Sequence, residues 1–127
     1  MKVAHAYIKD VACQPRKAAI VAELVRDRYV ADALVILEHT PRRAALVVKK
    51  AIESAKANLL SMYSIDPRTI AIAKISVTAG TRIRRYMPAP RGRALPFEKI
   101  RSNILVEVTG SEKVKKPAAR AAGKEKK

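Results

Sequence analysis

The sequence has little cysteine, few aromatic residues and no long apolar run. One cysteine, Cys13, excludes an internal disulfide and is typical of reducing compartments. No stretch approaches the roughly 18 apolar residues of a membrane span, and residues 1–5 lack the apolar segment of a signal peptide. We therefore expect a cytoplasmic protein. Because only 4% of residues are aromatic, its core must consist of Ala, Val, Ile and Leu.

The sequence also lacks the residue patterns that catalysis or metal binding requires. His5 and His39 have no second ligand at metal spacing, and Cys13 has no partnered His or Asp. No glycine-rich phosphate loop, carboxylate pair or catalytic triad occurs. We predict no catalytic residue, no metal and no cofactor, and hence a protein that is not an enzyme.

Positive charge is the dominant property of the 127 residues, with 27 Lys and Arg against 11 Asp and Glu and a net charge of +16. A surface this cationic repels itself unless a polyanion supplies counter-charge. Residues 79–110 and residues 111–127 each hold 7 basic and 2 acidic residues, so 10 of the 16 net positive charges lie in the last 49 residues. Composition therefore indicates nucleic acid or an anionic membrane as the partner.

Apolar residues at helical spacing predict three helices in the first half of the chain. The first runs from Pro15 to about Arg28, because proline is favoured at the first helical position. The second begins near Val30 and ends near His39. Thr40 as N-cap and Pro41 as first residue predict the start of a third helix, whose apolar stripe extends to Met62.

Shorter apolar patterns predict strands on both sides of these helices. Val3 to Lys9 suits a first strand, and Ile70 to Val77 a second whose alternation slips near Ala73 and Lys74, as at a bulge. Ile104, Val106 and Val108 alternate as a returning strand. The fold class is therefore α+β, with three helices packed on a small antiparallel sheet. We assign residues 1–110 to one domain and residues 111–127 to a basic, disordered tail.

Residues 80–103 are predicted to form a long β-hairpin that projects from the sheet. Their middle, from Pro88 to Arg93, is rich in turn-forming residues. Arms of about ten residues reach roughly 30 Å at 3.3 Å per residue. A protein of this size has no core to cover both faces of such a ribbon, and the ribbon carries seven basic residues against Glu98. We infer that RNA or DNA packs around it.

Four stretches resemble one known family. They are residues 14–17 (QPRK), residues 33–37 (ALVIL), residues 54–58 (SAKAN) and the hairpin, in which Gly80, Arg84, Arg85, Met87, Pro88, Gly92, Arg93, Ala94, Lys99, Ser102 and Ile104 match in one ungapped frame. The chain is similar over Val3 to Val108 to the large-subunit ribosomal protein twenty-two family, of bacterial type. The resemblance implies a structural constituent of the large ribosomal subunit, one copy per ribosome, bound to large-subunit rRNA and to neighbouring ribosomal proteins.

The resemblance also implies positions for the binding residues. The body is expected near the exit of the polypeptide tunnel, with the hairpin tip in the tunnel wall beside the nascent chain. The expected tip comprises Ile83, Arg84, Arg85, Tyr86, Met87, Pro88, Ala89, Pro90 and Arg91. The expected rRNA-binding residues are Arg16, Lys17, Asn58, Arg82, Arg84, Arg85, Arg91, Gly92, Arg93, Lys99, Arg101 and Ser102. Arginine suits this role because its planar fork binds phosphate bidentately.

Other interpretations of the same residues stay open at this point. The hairpin arginines and the Arg16–Lys17 pair also suit an ordinary solvated surface. Tyr86 and Met87 suit either base stacking and tunnel lining or packing across the ribbon. For the whole protein, the alternative is an architectural DNA-bending protein with basic β-arms, which usually come in pairs from a dimer. An RNA-processing enzyme is disfavoured because acid and base residues are missing.

Overall fold

A three-stranded antiparallel sheet forms one layer of the protein. In the computed structural model, which describes residues 1–111, β1 is Lys2–Val11, β2 is Ala71–Pro88 and β3 is Ala94–Gly110. The strand order is β1-β3-β2, so β3 is central. The sequence prediction of an antiparallel sheet is confirmed. The predicted tail lies outside the described residues, except for Ser111.

The alternation of β3 explains how the sheet forms one wall of the core. From Ser102 to Gly110 every second residue is buried and the residues between them are half-buried. Ile104, Val106 and Val108 have no exposed surface and therefore point to the helices. Side chains of successive strand residues point to opposite faces, so one face is covered and the other remains accessible.

Three helices cover that face, as predicted. They are α1 (Pro15–Val25), α2 (Val30–His39) and α3 (Arg43–Met62). The longest, α3, packs on β1 and β3, while α1 packs on β2 and α3. Their buried positions recur at intervals of three and four residues, which is the period of a helix that buries one face. A 3-10 turn, Pro67–Thr69, leads from α3 into β2.

Small and branched aliphatic residues make up the core. All buried hydrophobic residues are Ala, Val, Leu or Ile, and the largest with almost no exposed surface include Ile52, Leu59 and Ile70. No Tyr or Phe is buried among the described residues. At roughly 25 cal/mol per Å² of apolar area, burial of such side chains supplies the main favourable free energy of folding. The prediction of an aliphatic core is confirmed.

The predicted start of α3 is wrong by two residues. Arg42, not Thr40, is the N-cap of α3, and Thr40 instead caps the C-terminus of α2. The reason is that the Thr40 hydroxyl donates a hydrogen bond of 2.7 Å to the carbonyl of Ile36, one turn back in α2. A threonine side chain can bond a preceding carbonyl as well as a following N–H, and here it does the former.

Two further helix predictions need correction. The first helix ends at Val25 instead of Arg28, because its C-cap Arg26 is extended, with ψ of 140°, and Asp27 then turns the chain away with φ of 57°. Met62, the last residue of the predicted apolar stripe and of α3, is 68% exposed and does not belong to the core.

Candidate nucleic-acid interface

The hairpin is continuous with the sheet and extends beyond the core. β2 and β3 remain paired from Ala71 and Thr109 to Pro88 and Ala94. None of residues 81–100 is buried. At about 3.3 Å per residue, the arm from Thr81 to Pro88 is roughly 25 Å long. The predicted projecting hairpin is therefore confirmed, and no part of it folds back into the core.

Charge on this hairpin is only weakly compensated within the protein. Glu98, the one acidic residue between positions 80 and 103, lies 3.5 Å from the guanidinium of Arg82 and 3.7 Å from that of Arg84. The Arg84 side chain is nevertheless 85% exposed. The remaining basic residues of the described hairpin arms and tip form no ion pair within residues 1–111: they are Arg85, Arg91, Arg93, Lys99 and Arg101.

The tip is a 3-10 turn at Pro90–Gly92 that holds an arginine in an unusual conformation. Arg91 has φ of 61° and ψ of 32°, and Gly92 has φ of 71°. The N–H of Ala89 closes the turn on the carbonyl of Arg93 at 2.8 Å. A left-handed backbone conformation is strained for any residue that has a Cβ atom, and two such residues follow each other here. Because Gly92 has no Cβ, only Arg91 bears this strain.

Tyr86 and Met87 are exposed at 73% and 54%, and their cross-strand partners are Pro96 and Leu95. Each pair lies directly across the ribbon, at the spacing where cross-strand side chains can pack. The exposed remainder of each side chain leaves both the stacking and the tunnel-lining interpretations open.

A cluster of polar contacts lies where the hairpin leaves the sheet. The N–H of Asp10 donates to the side-chain oxygen of Asn103 at 2.9 Å, and the N–H of Thr81 donates to the Asp10 carboxylate at 3.2 Å. Hydrogen bonds from Thr81 lower the pKa of Asp10, and the positive charges of Arg101 and Lys9 lower it further. A Cβ at Gly80 would lie 3.0 Å from Asn103 Oδ1 and 3.2 Å from Asp10 Oδ1. Asp10, Gly80, Thr81 and Asn103 form what we call the hairpin base.

Both edge strands bulge at the hairpin base. The register of β1 against β3 shifts between Ile8 and Val11, and that of β2 shifts between Ala79 and Arg82. Asp10 lies in the first bulge with φ of 52°. Bulges increase the local twist and bend the strand. The two bulges lie on opposite sides of β3, both close to Ser102. Together they therefore set the direction in which the hairpin leaves the sheet.

Ser102 does not lie where the predicted RNA contact requires. It is completely buried, pairs with Val11 on one side and Ala79 on the other, and its hydroxyl has no hydrogen-bond partner among the described residues. The physical reason is the alternation of β3, which turns Ser102 to the same covered face as Ile104. We therefore remove Ser102 from the candidate interface.

The predicted body residues have different surroundings. Arg16 and Lys17 are exposed in the first turn of α1, where no acidic residue is present. Asn58 is half-buried, and its amide donates a hydrogen bond of 3.0 Å to the carbonyl of His5 in β1. This bond gives Asn58 a place in the protein's own packing, joining α3 to the edge strand. Its role in RNA binding stays a prediction.

The structure adds two basic residues that the sequence prediction missed. Arg42 and Arg43 line a cavity of about 480 Å³ together with Lys17, Gln14 and Cys13. The helices bring these positions together although they are about 25 residues apart in sequence. One signal was present: two consecutive arginines at a helix N-terminus are unfavourable beside the positive end of the helix dipole, unless an anion binds there.

Two other kinds of feature are absent from residues 1–111. No group of His, Cys, Asp and Glu side chains is arranged to hold a metal ion. No described helix is both long and apolar enough to cross a membrane.

The fold and the charge distribution together define a structural nucleic-acid-binding protein with a basic β-hairpin. A family model described as ribosomal protein L22p/L17e matches residues 6–109, and the chain belongs to this family. It is 41% identical over 105 residues to a protein named large ribosomal subunit protein uL22 from Clostridioides difficile, covering 83% of this chain and 95% of that one. The protein of the same name from Lacticaseibacillus casei is 38% identical over 109 residues, with 86% and 93% covered.

Family membership settles the class of function. The protein is a structural, non-enzymatic constituent of the large ribosomal subunit, and it occurs in the ribosome with rRNA and other ribosomal proteins. The resemblance inferred from the hairpin and helix motifs is confirmed. The family match favours the ribosomal function over the DNA-bending alternative. The protein is located where ribosomes are, which in bacteria is the cytoplasm.

Proposed function

We propose that the hairpin and the adjoining surface of the body bind large-subunit rRNA directly. One observation carries this proposal: residues 81–100 form a paired ribbon with no buried residue, and five of the basic residues between positions 80 and 103 have no ion-pair partner within the described chain. A two-stranded ribbon of this kind is at best marginally stable in water. Phosphate groups packed against both faces supply the missing contacts and neutralise the charge.

The residues in this proposed interface are those of the hairpin and the first turn of α1. They comprise Arg16, Lys17, Arg82, Arg84, Arg85, Arg91, Gly92, Arg93, Lys99 and Arg101. Gly92 contributes through its backbone, because it has open space where a side chain would be. Asn58 contributes indirectly, by holding α3 against β1.

The test is a salt titration of rRNA binding by the full-length protein. A variant with Arg84, Arg85, Arg91 and Arg93 replaced by Gln should bind more weakly, and the slope of log K against log salt should fall by about three, at roughly 0.7 to 0.9 per lost phosphate contact. The matched control replaces four basic residues of the body, Arg26, Arg28, Arg68 and Lys74. An equal loss of slope in the control would contradict a hairpin-centred interface.

We further propose that the tip, from Ile83 to Arg91, lies in the wall of the polypeptide tunnel, with the body near the tunnel exit. The exposed Tyr86 and Met87 then contact the nascent chain. A photo-crosslinker on Met87→Cys, in a Cys13→Ser background, should form crosslinks to a stalled nascent peptide in assembled ribosomes. The same probe on Ser76→Cys, in the body of the sheet, should not. Equal crosslinking from both positions, or none from Met87→Cys, would exclude this placement.

A further inference from the structure

Two cavities adjoin at the loop between β1 and α1. The first, of about 480 Å³, lies on the body and is lined by Lys17, Arg42 and Arg43. The second, of about 380 Å³, lies against the lower part of the hairpin and is lined by Lys99 and Arg101. Ala12 and Gln14 line both cavities. We call the combined depression the corner groove, because it joins the body to the hairpin.

Positive charge prevails along the whole corner groove. The body cavity has no acidic lining residue, and within residues 1–111 its three basic residues form no ion pair. The single acidic residue of the hairpin cavity, Glu98, is engaged by Arg82 and Arg84. A concave surface lined by one sign of charge raises the local concentration of its counter-ion. The groove therefore selects a polyanion.

The ends of two helices add to this selection. Within the corner groove, α1 begins at Pro15 and α3 at Arg43, and neither helix has a side-chain cap or an acidic residue in its first turn. The unpaired N–H groups at such ends carry partial positive charge. They supplement the three basic side chains that define the body cavity, and an anion in the cavity removes the repulsion between Arg43 and its own helix.

The lining of the hairpin cavity favours RNA over an acidic peptide. Phe97, the only phenylalanine in the chain, lines this cavity and is half-buried. A partly exposed aromatic ring beside basic side chains is the arrangement on which an unpaired base stacks while its phosphates are neutralised. An acidic peptide could pair with the basic side chains, but it has no base to stack on the Phe97 ring.

We propose that a single RNA strand runs through the corner groove, so that the body and the hairpin bind one continuous segment of rRNA. Its phosphates contact Lys17, Arg42 and Arg43 on the body and then Lys99 and Arg101 on the hairpin. The proposal rests on the rRNA-binding function above and adds the path of the strand. One strand held at both points also fixes the angle between the hairpin and the body.

Cys13 provides a direct test, because it is the only cysteine and lines the body cavity. An Fe(II)-EDTA probe on Cys13 of the full-length protein, bound to large-subunit rRNA, should cleave one continuous segment. Replacing Lys99 and Arg101 by Gln on the hairpin should shift or weaken that cleavage, since the strand is then held at one end only. Replacing Arg26 and Arg28 by Gln, at the other end of α1, should leave it unchanged.

Salt titrations supply the second measurement. The pair Lys17→Gln with Arg42→Gln and the pair Lys99→Gln with Arg101→Gln should each lower the salt slope by about 1.5, at roughly 0.7 to 0.9 per phosphate contact. Circular dichroism of each variant checks that it is folded. Slopes equal to that of the Arg26 and Arg28 control would overturn the groove and remove Lys17, Lys99 and Arg101 from the interface. If the arginines at the hairpin tip still set the salt slope, the hairpin-centred function would stand.

The remaining outcomes are equally decisive. Cleavage from Cys13 that ignores the hairpin pair would mean two separate RNA strands and would overturn the single path. Absence of cleavage from Cys13 in a bound complex would mean that no RNA strand passes the body cavity, which also overturns the proposal. A wild-type protein without salt-dependent rRNA binding would defeat both the groove and the proposed function.

Discussion

The backbone N–H of Asp10 donates a hydrogen bond to the side chain of Asn103, 93 positions later in the chain, at 2.9 Å. The same aspartate accepts through its carboxylate from the N–H of Thr81. One residue of the edge strand β1 thereby contacts both arms of the hairpin, although β1 and β2 lie on opposite sides of β3. These two bonds connect the sheet to the hairpin at the point where packing against the helices ends.

Replacing Asn103 by Ala should loosen the hairpin base without unfolding the body. The substitution removes the acceptor of the Asp10 N–H, and a hydrogen bond of this kind contributes about 0.5 to 1.5 kcal/mol. Amide exchange should become faster at Asp10 and Thr81 and stay unchanged in α3. Thr78→Ala is the matched control, because Thr78 is the cross-strand partner of Asn103 and is exposed. Similar exchange rates in the two variants would refute the role of the hairpin base.

The lowered pKa of Asp10 predicts a defined dependence of stability on pH. Its folded-state pKa lies below the unfolded value of about 3.9, so the charged carboxylate stabilises the folded protein above that value. This contribution is lost as the pH falls through the folded-state pKa. In urea unfolding, the stability difference between the wild type and Asp10→Asn should therefore be larger at roughly pH 6 than at an acidic pH below the folded-state pKa of Asp10. A difference that is constant with pH would show that the carboxylate charge has no part in the hairpin base.

Ser102→Ala should leave stability unchanged or raise it slightly. The buried hydroxyl has no partner among the described residues, so the folded state loses hydration of a polar group without compensation. Replacing it removes that penalty at nearly constant volume. Thermal unfolding gives the stability, and rRNA binding in the same variant tests the original prediction for this residue. A marked loss of affinity with unchanged stability would restore Ser102 as an RNA contact.

The architecture was largely predictable because its signals are local. The period of the apolar residues in α1 to α3 and the alternation at Ile104, Val106 and Val108 reflect which face is buried. The bulge near Ala73 and Lys74 appears as a register shift between Ile72 and Lys74. The capping role of Thr40 was not predictable in the same way. Its hydroxyl can bond a preceding carbonyl or a following N–H, and the local sequence does not indicate which of the two bonds forms.

In the candidate interface, too, the features with a local sequence signal were predictable and those that depend on tertiary packing were not. An exposed, basic hairpin follows from a ribbon that is longer than any core could cover, and the exposure of residues 81–100 confirms it. The approach of Arg42 and Arg43 to Lys17 depends on how α1 packs on α3, which no short pattern encodes. The burial of Ser102 needed the register of β3 between two bulged partners. Motif matching alone could not separate this buried residue from its exposed neighbours.

The core makes a separate prediction that distinguishes structural from RNA-binding residues. Leu59 has no exposed surface, and Leu60 beside it is 37% exposed. Leu59→Ala should lower the free energy of unfolding by about 2 to 5 kcal/mol, because it removes buried methyl groups and leaves a cavity that α3 and β3 cannot close. Leu60→Ala should have a much smaller effect.

The same two variants also test whether core stability and RNA binding are separable. The corner groove and the hairpin contain neither leucine, so the folded fraction of Leu59→Ala should bind rRNA with the salt slope of the wild type, as should Leu60→Ala. Denaturant unfolding gives the free energies, and the salt titration gives the slopes. Loss of slope in Leu59→Ala at a temperature where the protein is folded would mean that α3 transmits its packing to the interface. The cationic residues would then not act independently of the core.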